Sequence, residues 1–182
     1  MENYSITITD TINEERLQKG VFIFMYRVLR IPPHLGLIVN GELYDITLHG
    51  PNLGISAVDF YRTMLKRKSE LVLIELVNPE KVITEASLKE VMKKYWKVSS
   101  EVSCLFPVRD ILATAYACPD LLQAEFFFDL LPRLKDEGLI KSTSQINLFN
   151  KLNNNALELI KYSKKDIENC VHALQRKEQQ AC

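Results

Sequence analysis

The chain has 182 residues, enough for one domain with a substantial hydrophobic core. Lysine plus arginine and aspartate plus glutamate are equal at 23 each, so the neutral net charge argues against nucleic acid as the main partner. No apolar run could span a bilayer, and the polar, alternating start MENYSITITD does not resemble a secretory signal peptide.

Strand patterns dominate the first half of the chain. The runs either alternate apolar and polar residues or are rich in β-branched and aromatic residues, and both patterns are typical of strands. Asn40-Gly41 joins two of them and predicts a two-residue hairpin, because a type I′ turn needs a positive φ at both positions. We expect residues 50–54 to form a loop. The predicted strands cover residues 5–9, 21–30, 34–39, 42–48 and 71–77.

Helical spacing dominates the second half of the chain. Residues 141–155 are polar and Asn-rich, which predicts a loop that could contain a short helix. Strands first and helices later favour an α+β fold with an antiparallel sheet packed against helices. One predicted helix begins at Ser56, and the others cover residues 85–96, 104–116, 121–135, 156–162 and 164–179.

The hairpin places two ionisable side chains on one face of the sheet. Counting outward from the Asn40-Gly41 turn puts Gly36 opposite Asp45 and makes His34 and Asp45 diagonal neighbours. Gly36 leaves room above this pair. A carboxylate beside an imidazole fixes its tautomer and favours its charged form, as a general base requires. The alternative is that His34 and Asp45 simply lie on the solvated face of an antiparallel sheet.

The cysteines show neither CxxC pairs nor the spacing of metal ligands, which predicts free thiols in a reducing compartment and neither a metal nor a cofactor. Cys104 is the best candidate nucleophile, because it lies at the start of a predicted helix with Ser103 as N-cap and Pro107 in the first turn. The helix dipole and unpaired amides favour the thiolate there and could hold an oxyanion. The alternative is an ordinary buried cysteine on an amphipathic helix. The weaker candidates are Cys118, Cys170 and Cys182.

The segments GVFIFMYR, PPHLGLIVNGELYDIT and HGPNLGISAVDFYRTM resemble the papain-related NlpC-like superfamily, and specifically its circularly permuted branch, which includes lecithin–retinol acyltransferase-like proteins. In that branch a strand opens with the catalytic histidine in an H-x-G/A-hydrophobic pattern, a second strand carries a polar residue, and the cysteine comes last. The match covers roughly residues 18–117. The stretch around Cys104 lacks the Asn-Cys or Cys-Ser pairing of many relatives, and an acid is not the usual third residue.

The resemblance implies a papain-like catalytic domain, to which we assign residues 1–140. Residues 119–182 match nothing in the family, and we expect residues 141–182 to form a C-terminal helical extension packed on the same domain. It implies His34 as the base, Asp45 as the third triad member and Cys104 as the nucleophile of an acyl transfer.

Four further residues are secondary candidates for roles at this site. His49 is a reserve for the third role by strand parity, and Tyr95 or Tyr26 could donate to an oxyanion. Arg109, one turn after Cys104, could bind a substrate carboxylate. Each of these side chains also has an ordinary structural reading, as a surface histidine, a buried aromatic or an ion-paired arginine.

Three functions stay open at this point. The first is a cysteine peptidase or amidase acting on a peptide-like amide. The second is hydrolysis or transfer of a lipid acyl group, for which the aromatic run at residues 125–128 could supply an apolar groove, although such a run more often forms a core helix. The third is a papain-like interaction module whose C-terminal helices bind a protein partner. We expect no nucleic-acid partner and no transmembrane segment, and a location in the cytoplasm or export without a cleaved signal peptide.

Overall fold

The computed structural model describes residues 3–180, with side chains described for residues 3–176. The strands of this part of the chain are β1 Asn3–Thr7, β2 Val21–Tyr26, β3 His34–Val39, β4 Glu42–Thr47, β5 Gly50–Ser56, β6 Leu71–Leu76, β7 Ile140–Ile146 and β8 Ala156–Ile160. The α-helices are α1 Glu14–Leu17, α2 Ala57–Lys66, α3 Glu85–Tyr95, α4 Leu105–Ala115, α5 Phe127–Asp136 and α6 Lys164–Gln180. Short 3-10 helices cover Pro119–Gln123 and Phe149–Lys151.

Six strands form one antiparallel sheet in the order β5-β4-β3-β2-β6-β7, and β1 pairs with β8 in a separate two-stranded sheet. This confirms the predicted α+β class with an antiparallel sheet and helices. The inner strands β2, β3 and β6 are almost entirely buried, which explains why their sequences are continuous apolar runs and do not alternate. None of the described helices combines the length and hydropathy needed to cross a membrane.

The two faces of the large sheet carry separate hydrophobic clusters. Leu35 and Leu37 of β3 pack in one cluster with α3, α4 and α5. Phe24 and Ile38 belong to the other cluster, which includes Met64 of α2. Burial of each such side chain contributes about 1.5–3 kcal/mol, so packing on both faces stabilises the position of β3.

The predicted hairpin between β3 and β4 is confirmed at the turn. Asn40 and Gly41 both have positive φ, 49° and 87°. The ladder between the two strands runs outward to Leu37 and Tyr44. Farther along, the carbonyl of Thr47 accepts a hydrogen bond from the Val98 amide at 2.9 Å. The segment that follows α3 therefore lies beside the end of β4, at the end of the sheet where β3 begins.

Several local predictions are wrong, and in each case pairing with distant residues decided the outcome. Residues 50–54, predicted as a loop, belong to β5, which pairs with β4. Residues 141–155, predicted as a loop, contain most of β7, whose polar residues pair with β6 at the sheet edge. Strand formation depends on such neighbours more than on local propensity.

The C-terminal part of the chain is also less helical than predicted. Residues 156–162, predicted as a helix, contain β8, and the predicted helix over 121–135 is divided into a 3-10 helix and α5. The sequence of β8 does alternate, with buried Leu157 and Leu159 on either side of exposed Glu158. This alternation is the pattern of a strand with one buried face. The stretch 141–182, predicted as a helical extension, thus holds two strands together with α6.

Candidate active site

His34 is the first residue of β3 and pairs in register with Tyr26 at the end of β2. The strand begins here because Pro32-Pro33 precede it, and proline can neither donate to a ladder nor extend it in a central position. The imidazole lies 6.0 Å from the ring of Phe24, centroid to centroid, and about a quarter of the side chain is exposed (26%). The ring is therefore held by the sheet and still accessible from the solvent side.

Asp45 contacts the imidazole directly, as the hairpin geometry predicted. Its Oδ2 lies 2.7 Å from His34 Nε2, and the side chain is almost fully buried. Its other oxygen, Oδ1, accepts a hydrogen bond from Asn52 Nδ2 at 2.7 Å. Both carboxylate oxygens are thus occupied, which fixes the orientation of the carboxylate relative to the ring.

Asn52 is a site residue that sequence reasoning missed. It faces Asp45 directly in the pairing of β4 with β5. The signal was present: Thr47 pairs with Gly50 across the two-residue turn Leu48-His49, and counting back from that turn places Asn52 opposite Asp45. The glycines and proline of residues 50–54 instead suggested a loop.

Gly36 is required by the close packing around Asp45. A Cβ at this position would lie 2.4 Å from Cε1 of Phe24 and 2.7 Å from Cβ of Asp45. The room that Gly36 was expected to leave above the pair is therefore taken up by the Phe24 ring. This ring packs against His34 on the same face and limits its movement.

Cys104 lies at the N-terminus of α4, as predicted, and is the N-cap itself, whereas Ser103 was predicted to be. The difference is one position, within the usual uncertainty of helix ends. The Cys104 thiol lies near the His34 ring: desolvation opposes protonation of the imidazole, but hydrogen bonding with Asp45 and with Cys104 raises the pKa of His34 to about 10. Because Nε2 faces Asp45, Nδ1 is the ring nitrogen that remains for the sulfur.

The thiol and the imidazole meet at the end of the sheet. By strand parity His34 shares its face with Ile38, whereas α4 packs on the opposite face together with Leu35. Contact is possible because each residue is terminal: His34 opens β3 and Cys104 caps α4. The structure thus brings together all three residues that the sequence singled out, Cys104, His34 and Asp45.

The first turn of α4 offers fewer free amides than predicted. The Leu105 amide donates to Ser103 Oγ at 3.2 Å, and the Phe106 amide donates to the Ser103 carbonyl at 3.1 Å. Pro107 has no amide hydrogen. Of the oxyanion donors predicted in this turn, the one that remains is therefore the backbone N–H of Cys104.

The secondary candidates make other contacts. Arg109 donates to the Ala124 carbonyl at 2.8 Å and lies over the Phe106 ring, so it has structural partners. The Tyr95 hydroxyl donates to Asp110 at 2.5 Å. His49 is exposed in the β4–β5 turn, and the residue that contacts the His34 ring is Asp45.

The other cysteines and the aromatic run at residues 125–128 have structural surroundings of their own. Cys118 is as buried as Cys104, at 9% exposure each, Cys170 is partly buried on α6, and Cys182 lies outside the described residues. In the aromatic run, Phe127 is fully buried, and Phe126 and Phe128 stack at 4.9 Å and pack against Tyr162. That run fills space within the fold.

Among the residues that the structure describes, no cluster of three or more His, Cys, Asp or Glu side chains is suited to a metal ion. Comparisons of the chain with protein-family models, with curated proteins and with solved structures found no match.

Proposed function

We propose that the protein is a thiol hydrolase of the cysteine peptidase or amidase type, in which Cys104, His34 and Asp45 cleave a peptide-like amide through an acyl-enzyme. The observation that carries the proposal is that the His34 ring interacts with both the Asp45 carboxylate, at 2.7 Å, and the Cys104 thiol. The order histidine, acid, cysteine and the H-x-G-hydrophobic pattern at residues 34–37 support assignment to the permuted NlpC-like branch of papain-like folds.

In the first half of the reaction the imidazole already holds the Cys104 proton at neutral pH, because the pKa of His34 is raised to about 10, and Asp45 holds the ring and stabilises its charged form. The thiolate attacks the carbonyl carbon of the amide. The C–N bond then breaks, and the amine leaves with a proton from the imidazolium. The product on the protein is a thioester at Cys104.

In the second half a water molecule attacks the thioester and gives a proton to His34. The C–S bond breaks, a carboxylic acid is released, and the pair of thiolate and imidazolium is restored. The backbone N–H of Cys104 is the donor that we expect at the oxyanion in both halves. Removal of one such donor typically lowers the rate by about 10²–10³.

The test is alkylation of Cys104 by iodoacetamide at neutral pH, followed by mass spectrometry of the peptides. Cys118 is the matched internal control, because the two thiols have the same exposure, 9%. We expect Cys104 to react at least about 100-fold faster, because an adjacent base favours the nucleophilic thiolate. The advantage should disappear in His34→Ala.

Equal labelling of Cys104 and Cys118, or labelling of Cys104 that does not depend on His34, would contradict the proposal and favour a papain-like shell that only binds a partner. If the reactivity test succeeds, turnover of chromogenic peptide anilides by the wild type and by Cys104→Ala measures the hydrolase activity itself.

Hydrolysis or transfer of a lipid acyl group is the second candidate, and one feature near His34 favours it. A cleft of about 80 Å³ next to Pro33 is lined mainly by apolar side chains, among them the exposed Leu29, Ile31 and Ile160, and its other lining residues include Arg30 and Glu158. Its volume fits a few methylene groups at most. Nitrophenyl esters of two to twelve carbons separate the two candidates: a rate that rises steeply with chain length would favour the lipid reaction.

A further inference from the structure

Trp96 has an unusual backbone conformation directly after α3. Its φ is 60° and its ψ is −65°, and the Lys97 amide donates to the Tyr95 carbonyl at 2.7 Å. These values define a γ-turn of the rare form, which is strained for any residue with a Cβ and especially for a bulky one. Strain of this kind persists where the surrounding structure imposes it, and such residues are concentrated at functional sites.

The surroundings of Trp96 place it at the same end of the sheet as the candidate active site. A Cβ on Gly50 would meet Cζ2 of the indole at 4.0 Å, so the ring lies against the β4–β5 turn. Two residues on, the Val98 amide binds the Thr47 carbonyl. The chain then turns at residues 99–102 and arrives at Cys104. Trp96 thus lies between the turn that follows Asp45 and the segment that carries the thiol.

The indole is also largely open to solvent. Its exposed fraction is 55%, whereas the neighbouring α3 residues Leu88 and Met92 are buried. The strained turn therefore does not serve to bury the ring in the core. It holds a large apolar surface outside the core, and tryptophan in such a position is the residue type that most often dominates the energy of binding.

We propose that Trp96 is a specificity-determining residue that packs against an apolar, flat group of the substrate, such as an aromatic side chain next to the scissile amide. This inference rests on the proposed function, because it assigns a substrate group to the same site. The preferred substrate is then an aromatic peptide-like amide, and the indole and the β4–β5 turn form the surface that selects it.

The test compares two reagents with the same reactive group, iodoacetamide and N-benzyl iodoacetamide. In both reactions the thiolate sulfur of Cys104 displaces iodide and forms a C–S bond, so only the benzyl group differs. We expect the ratio of the benzyl rate to the iodoacetamide rate to fall about tenfold in Trp96→Ala. Phe149→Ala is the matched control, because Phe149 is also exposed (79%) and follows β7, three strands from β3.

The single tryptophan of the chain supplies a second readout. The benzyl adduct should shift the fluorescence emission of Trp96 to shorter wavelength, and the small adduct should not. An unchanged rate ratio in Trp96→Ala, or identical emission of the two adducts, would overturn the inference. These results differ from failure of the proposed function, in which Cys104 reacts no faster than Cys118 with either reagent.

Trp96→Gly separates substrate contact from a structural role. Glycine adopts a positive φ without a steric penalty, so Trp96→Gly should melt at a higher temperature than Trp96→Ala while it lowers the rate ratio as strongly. A fall in melting temperature together with an unchanged rate ratio would mean that the indole only packs against the turn, and would overturn the inference.

Discussion

Asp45 on β4 and Glu75 on β6 are both buried carboxylates of the large sheet, at 5% and 8% exposure, and their partners differ in kind. Glu75 binds Arg16, Lys141 Nζ at 2.6 Å and Ser142 Oγ at 3.0 Å. Asp45 binds a titratable imidazole and a neutral amide. The charge of Glu75 is thus compensated by permanent cations, whereas the charge of Asp45 acts on a group that can exchange a proton.

The comparison shows that a buried carboxylate does not identify a reactive site by itself. The Arg16 guanidinium and the Lys141 ammonium can only donate hydrogen bonds, so neither cation beside Glu75 could accept a proton from a substrate or a nucleophile. His34 has a second nitrogen, and a thiol lies next to it. The chemistry therefore depends on the partner of the carboxylate. Substitutions at Asp45 and at Glu75 test this difference between the two partners.

The largest effect should come from Asp45→Asn. The amide keeps the volume of the carboxylate but cannot stabilise a charged imidazole, so the alkylation rate of Cys104 should fall by about 10²–10⁴. The matched variant Glu75→Gln should leave that rate within about twofold, since Glu75 has no contact with His34. Both rates come from peptide mass spectrometry, and equal loss in the two variants would refute the distinction.

Gly36→Ala should be the most destabilising single substitution at the site. The new methyl group would overlap the Phe24 ring and Asp45, and overpacking of this kind costs about 1–3 kcal/mol. The displaced Asp45 should also slow alkylation of Cys104. Urea denaturation measures the free energy of unfolding, and the combination Gly36→Ala with Phe24→Leu should recover part of it. No recovery would mean that the Phe24 contact is not the cause.

Glu75→Gln should lower the free energy of unfolding by about 2 kcal/mol without any effect on reactivity. Desolvation raises the pKa of Glu75, but hydrogen bonds with Lys141, Arg16 and Ser142 outweigh it and lower the pKa below its ordinary value of 4.5. Its stabilising contribution is therefore present above that pH and is lost as the pH falls through the lowered pKa. Denaturation curves from pH 3 to 7 should show a smaller acid sensitivity in Glu75→Gln than in the wild type.

The last effect is the pH dependence that His34 contributes, and its sign is opposite. The pKa of His34 is about 10 in the folded protein and 6.5 in an unfolded chain. Its contribution to stability is thus complete below about pH 6.5 and decreases as the pH rises toward 10. The difference in stability between the wild type and His34→Gln should shrink over this range, and in a Cys104→Ala background the decrease should begin at lower pH. A constant difference would contradict the raised pKa.

Local sequence patterns predicted the elements of the site that depend on neighbouring residues. The Asn40-Gly41 turn needs only its own backbone angles, and once it is placed, strand parity puts His34 beside Asp45. The start of α4 was predicted to within one position from Ser103 and Pro107, since helix ends depend on a few local hydrogen bonds. These two local predictions contained every residue of the proposed triad.

The errors lie where a strand depends on a partner far away in the chain. The β7 sequence is polar and becomes a strand because β6 offers it a free edge, and β8 forms because β1 is available. Asn52 was missed for the same reason, because its role follows from the pairing of β5 with β4. No pattern among a few neighbouring residues of the sequence indicates such a pairing.

The sequence by itself determined which side chains could react and how each is oriented on its own strand or helix, because turns, parity and caps depend on local sterics and hydrogen bonds. Only the tertiary structure decided that the N-terminus of α4 reaches the first residue of β3 at the end of the sheet. That meeting depends on how α3, α4 and the sheet pack their apolar faces together, a sum of many weak contacts between residues distant in the chain.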